Sequence, residues 1–148
     1  MLSATSADLL FSSVERVVEY LDLPQEPPMI IEDSRPPTTW PASNSQNLIV
    51  VDGLTVKYAP ELPSVLHNIS FALKGGERIG LLGRTGSGKS TLAMSILRFV
   101  DPSEGRIIID GVDITSIGLH DLRSKVTFIP QDAVLTSGTL RENLDPFG

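Results

Sequence analysis

The amino-acid sequence predicts an α/β domain, and three observations support this fold class. A glycine-rich loop, Gly83–Ser90, lies between a short apolar segment and a segment with helical spacing of apolar residues. Short runs typical of β-strands, bounded by Gly, Pro, Asn and Asp, surround this loop. The chain has 148 residues, of which 41% are hydrophobic and 20% charged, so it is long enough for one domain with a core.

The predicted elements of this domain begin at position 48. Strands are predicted at Leu48–Tyr58, His67–Leu73, Arg78–Leu82, Arg106–Asp110, Val112–Ile114 and Val126–Ile129, the first two in a meander. Helices are predicted at Lys89–Phe99, Leu119–Ser124 and Thr139–Asn143. Asp110 ends an apolar run, as a magnesium-binding aspartate would. However, the pair Asp110-Gly111 is typical of a two-residue hairpin, so we interpret Asp110 as a turn residue.

Two segments precede this domain. Apolar residues at helical spacing predict an amphipathic helix at Ala7–Leu21, which packs either on its own domain or on a partner. Positions 23–47 contain six of the 11 prolines, which predicts an extended linker. Within it, Trp40 or the run Met29–Ile31 is a candidate for packing against a surface.

Composition excludes several classes of function. A formal net charge of -6 and a pI near 4.8 argue against broad nucleic-acid binding. The absence of cysteine excludes disulfides and thiol catalysis. No apolar run reaches the length of a membrane span, and Met1–Leu10 lacks the pattern of a secretory signal. The two histidines, His67 and His120, are interpreted as solvated residues rather than metal ligands.

The spacing Gly83-x4-Gly88-Lys89-Ser90 is that of a P-loop. Backbone N–H groups of such a loop and the positive end of the following helix bind phosphates. Lys89 is predicted to reach the β- and γ-phosphates and Ser90 to bind Mg²⁺, while Thr91 is a candidate for the α-phosphate. The predicted nucleotide-binding residues of the loop are Gly83, Arg84, Thr85, Gly86, Ser87, Gly88, Lys89, Ser90 and Thr91, with Arg84 and Thr85 shaping the loop. The alternative is a glycine-rich surface turn with an exposed lysine.

Several motifs together resemble the nucleotide-binding domain of an ATP-binding cassette (ABC) transporter. They are GRTGSGKST at 83–91, FIPQ at 128–131, RIIIDGVDI at 106–114, and Tyr58 about 25 residues before the P-loop. IPQDAVLTSGTLRENLDPFG at 129–148 resembles the second such domain of the multidrug-resistance-associated branch, subfamily C. SVERVVEY at 13–20 resembles the segment that leaves the last transmembrane helix in that branch. The resemblance covers essentially the whole chain.

The resemblance implies ATP and Mg²⁺ as cofactors and roles for two further residues. Tyr58 would stack on adenine, although a strand aromatic packed in the core is an equal alternative from the residues alone. Gln131 would be a catalytic residue that contacts Mg²⁺ and the attacking water and couples the site to a transmembrane partner. The other reading of Gln131 is a solvated residue at a strand end.

The resemblance also implies an organisation and partners. Residues 1–22 would extend a transmembrane helix into the cytosol, 23–47 would be a linker, and 48–148 a partial nucleotide-binding domain. The expected partners are transmembrane domains and a second nucleotide-binding domain, with the chain at the cytosolic face of a membrane.

The family's later motifs do not follow Gln131, so the sequence predicts a P-loop NTPase fold truncated before its helical subdomain. An LSGGQ-type signature, a Walker B strand and a histidine loop are missing from the 17 residues after it. We therefore expect a fragment that is marginally stable and does not hydrolyse ATP alone, because the metal-holding aspartate and general base are missing. The alternatives are a non-catalytic nucleotide-binding or regulatory module and an unrelated P-loop enzyme such as a small kinase.

Overall fold

A computed structural model describes residues 4–23, 25–42, 45–132 and 135–145, with side chains from Phe11 onward. The helices are α1 (Ala4–Leu21), α2 (Lys89–Ile96), α3 (Leu119–Arg123) and α4 (Leu140–Leu144). The strands are β1 (Ile49–Val56), β2 (Leu66–Leu73), β3 (Glu104–Ile109) and β4 (Val112–Asp113), and short 3₁₀ turns lie at Glu32–Ser34 and Ile114–Ser116. The predicted α/β class is confirmed.

The four strands form one antiparallel sheet in the order β2-β1-β3-β4. Strand β3 pairs with β1 rather than with β2, so the arrangement is not a simple meander. Val51 of the central strand lies opposite Phe71 on one side and Ile107 on the other. The predicted hairpin is confirmed, because Asp110 and Gly111 have φ of 44° and 79°, as a type I′ turn requires.

One face of this sheet carries the hydrophobic core. Alternate residues of a strand point to the same face, so β1 and β3 each contribute a row of buried side chains. Residues from α2, the Ile114–Ser116 turn and α3 complete the cluster. Its buried members are Trp40, Val51, Leu54, Val56, Leu66, Leu92, Ile107, Ile109, Ile114, Ile117 and Leu122.

Two predicted strands, Arg78–Leu82 and Val126–Ile129, are not strands in the structure. Neither segment has a ladder partner in the described parts of the chain. Leu82 is 99% exposed and Ile129 85% exposed. These two strand predictions are wrong for this structure. The apolar composition is typical of strands, but a strand exists only where a neighbouring strand accepts its backbone hydrogen bonds.

The proline-rich segment is docked on the domain, and we call residues 25–42 the strap. The Trp40 side chain is buried and its Nε1 donates to the carbonyl of Ile109 at 2.8 Å. The backbone N–H of Leu119 donates to Pro28 O, and that of His120 to Met29 O. Both segments that the sequence offered for packing, Trp40 and Met29–Ile31, therefore contact the domain.

The first helix, α1, contains the predicted helix Ala7–Leu21 and begins three residues earlier. Its apolar side chains from Phe11 to Leu21 are 48–75% exposed, so they are not covered by the strap or the domain. No helix among the described residues is long and apolar enough to cross a bilayer.

Candidate functional site

A cleft of about 420 Å³ lies at the N-terminal end of α2. Its volume is typical of small-molecule sites. It brings residues 85–91 together with Gln131, which lies far away in sequence. The predicted site residues Tyr58, Gly83 and Arg84 are not among its lining. The lining residues are Val65, Thr85, Gly86, Ser87, Gly88, Lys89, Ser90, Thr91 and Gln131. They include one cation and no carboxylate, so the cleft suits an anion.

Gly88 sets the geometry at the start of α2. It is the N-cap residue with φ of 86°, a conformation that favours glycine. A Cβ at this position would lie 2.7 Å from Leu66 Cδ2, so the loop also packs tightly against β2. No side chain caps this helix end. The first N–H groups of α2 lack partners within the helix, and together with the helix dipole they can bind phosphate oxygens.

Lys89 folds back over the loop from the first position of α2. Its Nζ donates to the carbonyls of Gly83 and Arg84, each at 2.8 Å. These two bonds hold the ammonium group inside the loop. They also show what Gly83 and Arg84 do here, because both position Lys89 through their backbone and not through a side chain.

Tyr58 lies just beyond the end of β1 and reaches the P-loop helix. Its hydroxyl shares a hydrogen bond of 3.0 Å with Thr91 Oγ1, in which either group can donate. Thr91 is buried, whereas Tyr58 is 52% exposed. The exposure argues against the alternative of a core aromatic, because an exposed ring has a face available for stacking.

The two predicted Mg²⁺ ligands, Ser90 and Gln131, both line the cleft and are solvent-exposed. Among the described residues, no group of three or more His, Asp or Glu side chains is placed to hold a metal. One hydroxyl and one amide, without a carboxylate, fit Mg²⁺ only where phosphate oxygens and water complete an octahedron. This donor set therefore fits a metal that arrives with a nucleotide.

Comparison with known proteins agrees with this geometry. Residues 66–146, more than half of the chain, match the protein family described as "ABC transporter". The chain belongs to the ABC transporter family. It is 53% identical over 134 residues to "ABC transporter C family MRP4" of Zea mays and 52% identical to "ABC transporter C family member 5" of Arabidopsis thaliana. The predicted subfamily C type is thus confirmed.

This ABC transporter chain also resembles a solved structure, a bacterial Atm1-family ABC exporter with ATP bound. The TM-score is 0.74 at 30% identity, covering 96% of this chain and 24% of that one. The predicted ABC-type P-loop NTPase fold is therefore confirmed. The chain spans about 9% of the length of the two plant relatives, although the alignments cover 90% of the chain.

Sequence reasoning missed Arg98, which ends the P-loop helix of this ABC transporter chain. Arg98 N–H donates to Ser95 O and Phe99 N–H to Met94 O, the two bonds of a Schellman motif. Glycine is usual at this position, but Arg98 has φ of 54°. Its buried side chain explains the choice: Nη1 donates to the carbonyls of Ile114 and Ile117, each at 3.1 Å. Only the three-dimensional fold brings these partners together.

Asp110 has a second role that its hairpin position does not reveal. Its carboxylate accepts hydrogen bonds from Ala42 N–H, at 2.7 Å, and from the Ser45 hydroxyl. These two bonds, first that from Ala42 and then that from Ser45, lower the pKa of Asp110. The turn therefore anchors the end of the strap beside Trp40.

Proposed function

We propose that this chain binds ATP and Mg²⁺ in the cleft at the start of α2, as part of the nucleotide-binding domain of an ATP-driven ABC exporter. The main support is the composition of the cleft. Lys89 and the uncapped N-terminal end of α2 both line it, and its lining contains no acidic side chain. The family match and the ATP-bound exporter of similar fold support the same nucleotide.

The proposed roles follow from placement. The backbone of the P-loop from Gly83 to Gly88 surrounds the phosphates, and Lys89 neutralises the β- and γ-phosphates once it exchanges its carbonyl partners for them. Ser90 and Gln131 hold Mg²⁺, which neutralises the phosphate charge when bound. Tyr58 stacks on adenine, and Thr91 fixes its hydroxyl.

Hydrolysis requires more than these residues. Gln131 orients the attacking water in our proposal, but the cleft lining contains no carboxylate to act as a general base. The segment 78–82 directly precedes the P-loop, and 126–129 directly precedes Pro130-Gln131. Among the described residues, each lacks the neighbour that a central strand needs. Both observations support a signature motif and a Walker B strand as additional requirements for turnover.

The proposed partners are transmembrane domains and a second nucleotide-binding domain, at the cytosolic face of a membrane. The apolar side chains of α1, which the rest of the described chain leaves exposed, support a partner for that helix. The plant C-family relatives and the Atm1-family exporter support the export class.

A chimeric transporter tests this function. The chain replaces the corresponding 134 residues of the maize relative, which is 53% identical over that stretch. We expect Lys89→Ala to reduce ATPase activity at least about 100-fold, because removing one preorganised charge from a phosphoryl-transfer site has that order of effect. Lys74→Ala, a lysine outside the cleft, is the matched control. ATPase activity that withstands Lys89→Ala, or that falls equally in Lys74→Ala, would contradict the proposal.

The isolated chain separates an incomplete catalytic domain from a non-catalytic binding module. We expect weak or undetectable binding of MgATP and no phosphate release, because the predicted central strands lack neighbours. Tight binding without turnover would favour the binding module. Turnover that Lys89→Ala abolishes would show that the chain alone is an enzyme.

A further inference from the structure

Arg123 lies at the end of α3 and contacts the far end of the P-loop helix. Its Nε donates to Leu97 O at 3.0 Å and its Nη2 donates to Arg98 O at 3.1 Å. Its guanidinium also lies 4.5 Å from the centroid of the Phe99 ring. A cation at the carbonyl end of a helix interacts favourably with the helix dipole as well as with the carbonyls. Arg123 therefore fixes the last turn of α2.

The same guanidinium also holds the strap. Its Nη1 and Nη2 donate to the two carboxylate oxygens of Glu26, at 3.1 and 3.0 Å. This bidentate geometry is one that arginine, unlike lysine, can form. The hydrogen bond from Arg123 is the main reason that the pKa of Glu26 is lowered. Arg123 is thus shared between strap and helix.

The strap lies close to α3 at this point. A Cβ on Gly118 would lie 2.5 Å from Met29 O, so the two backbones are in contact. The strap also has an ion pair that does not involve α2, between Arg35 and Asp121 at 3.1 Å. This second pair connects the strap to α3 alone. It therefore provides a control for any effect that passes through Arg123 to α2.

We propose that Arg123 is a positioning residue that couples docking of the strap to nucleotide binding at the P-loop. The proposal rests on the proposed function of the cleft. Helix α2 has eight residues, a rigid element about 12 Å long, with the P-loop at one end and Arg123 at the other. When the strap undocks, Glu26 leaves Arg123, and the guanidinium that holds the end of α2 loses one of its partners. The end of α2 is then held less firmly.

This coupling has a reciprocal consequence. If strap docking strengthens nucleotide binding, then nucleotide binding strengthens strap docking by the same factor. The strap follows α1 in sequence, so any displacement of α1 that pulls on the strap would reach the phosphate site through Arg123. The contact between the strap and α3 and the contact at the end of α2 each involve hydrogen-bonded backbone amides. The exchange rates of these amides report on each contact separately.

Hydrogen exchange in the chimeric transporter measures the two ends separately. The amides of Leu119 and His120, bonded to Pro28 and Met29, report on the strap, and those of Arg98 and Phe99 report on the end of α2. We expect Arg123→Gln to accelerate exchange at both sites and raise the half-saturating ATP concentration about tenfold, because bonds to a charged donor are lost. Glu26→Gln leaves the carbonyl bonds in place, so we expect a smaller rise, about twofold.

Two variants provide controls. Arg35→Gln breaks the strap's other ion pair, so we expect faster exchange at Leu119 and His120 with unchanged exchange at Arg98 and an unchanged ATP requirement. Arg123→Lys keeps the charge without the bidentate geometry, so we expect a partial rescue. In the unsubstituted chimera, we expect MgATP to slow exchange at Leu119 and His120, and in Arg123→Gln we expect no such slowing.

Three results would overturn the coupling. One is an unchanged ATP requirement in both Arg123→Gln and Glu26→Gln. Another is a rise in Arg35→Gln equal to that in Glu26→Gln, which would indicate general loosening of the strap. The last is ATPase activity that is insensitive to Lys89→Ala. That result would contradict the proposed function itself, and the Lys89→Ala variant alone distinguishes it from a failure of the coupling. Glu26→Gln alters only a half-exposed pair, so it decides the question even where Arg123→Gln fails to fold.

Discussion

The antiparallel sheet and the two segments around the phosphate site have similar apolar sequences and opposite environments. In the sheet, Leu54 and Ile107 come from paired strands and are fully buried in the core on one face. In the segments 78–82 and 126–129, most apolar side chains are exposed, and Leu82 reaches 99%, although Val126 packs partly against the core. The two regions differ in strand partners, because β1 has a neighbour on both sides and the two segments have none among the described residues.

This difference shows that the P-loop needs only local contacts to form, whereas the strand-like segments 78–82 and 126–129 need distant backbone partners. The P-loop is held by short-range contacts: Lys89 bonds to carbonyls five and six residues earlier, and Gly88 begins its own helix. The segment before the loop needs backbone partners from a distant part of a chain. The P-loop can therefore adopt its conformation through local contacts even where, among the described residues, the segment 78–82 before it has no strand partner.

The largest effect that tests this comparison is the removal of an apolar side chain from each region. We expect Leu54→Ala to lower the free energy of unfolding by about 2–5 kcal/mol, since it leaves a cavity in the hydrophobic core. Leu82→Ala removes the same atoms from a side chain that is already in water, so the expected change is within about 0.5 kcal/mol. Urea unfolding of the isolated chain, followed by the fluorescence of its single tryptophan, Trp40, measures both.

The contrast between the two regions would be contradicted if Leu82→Ala lowered the free energy of unfolding as much as Leu54→Ala does. That result would mean that the segment before the P-loop is packed in solution. Leu82→Ser provides a second readout, because replacing an exposed leucine reduces association between chains and should raise solubility. A solubility unchanged by Leu82→Ser would also count against an exposed segment.

The same contrast explains how much of the fold the sequence predicts. The P-loop, the Asp110-Gly111 turn and the helix after the loop depend on near neighbours, and each was predicted within a few residues. The segments 78–82 and 126–129 have the composition of strands, but composition does not say whether a partner exists.

The candidate site divides in the same way. The P-loop residues follow from their spacing, whereas the approach of Tyr58 to Thr91 and of Gln131 to the loop depends on contacts across the fold. The family resemblance indicated Tyr58 and Gln131. Nothing in the local sequence distinguishes Arg98 and Arg123 from the other arginines, because only the fold brings Arg98 to the carbonyl of Ile114 and Arg123 to that of Leu97.

An intermediate effect is expected where the two regions meet, at the hydrogen bond between Tyr58 and Thr91. Tyr58→Phe keeps the ring for stacking and removes one neutral hydrogen bond, so we expect about fivefold weaker ATP binding in the chimeric transporter. Thr91→Val removes the other partner with little change in shape. The double variant should be no weaker than either single one. Additive losses would show that the two hydroxyls act separately, and the sheet would then not position the site through this bond.

The smallest effect concerns how firmly the strap is attached to the sheet, at Asp110. Because the pKa of Asp110 is lowered in the folded chain from its ordinary value of 3.8, its carboxylate stabilises the docked strap above that pH. This contribution falls as the pH drops below about 3.8 and through the folded pKa. Asparagine tolerates the positive φ of this turn, so Asp110→Asn removes the charge and keeps the hairpin.

We expect Asp110→Asn to increase acrylamide quenching of Trp40 about twofold at neutral pH, since a partly exposed charged anchor has a modest effect. As the pH falls below the folded pKa, quenching of the unsubstituted chain should rise toward that of the variant. Glu26 and Glu142, whose pKa values are also lowered, titrate in both proteins, so the difference between the two isolates Asp110. A difference that persists in acid would place the effect in the turn and not in the carboxylate. The end of the strap beside β3 would then be held by the buried Trp40 and not by the Asp110 carboxylate, as the paired strands are held by their packing.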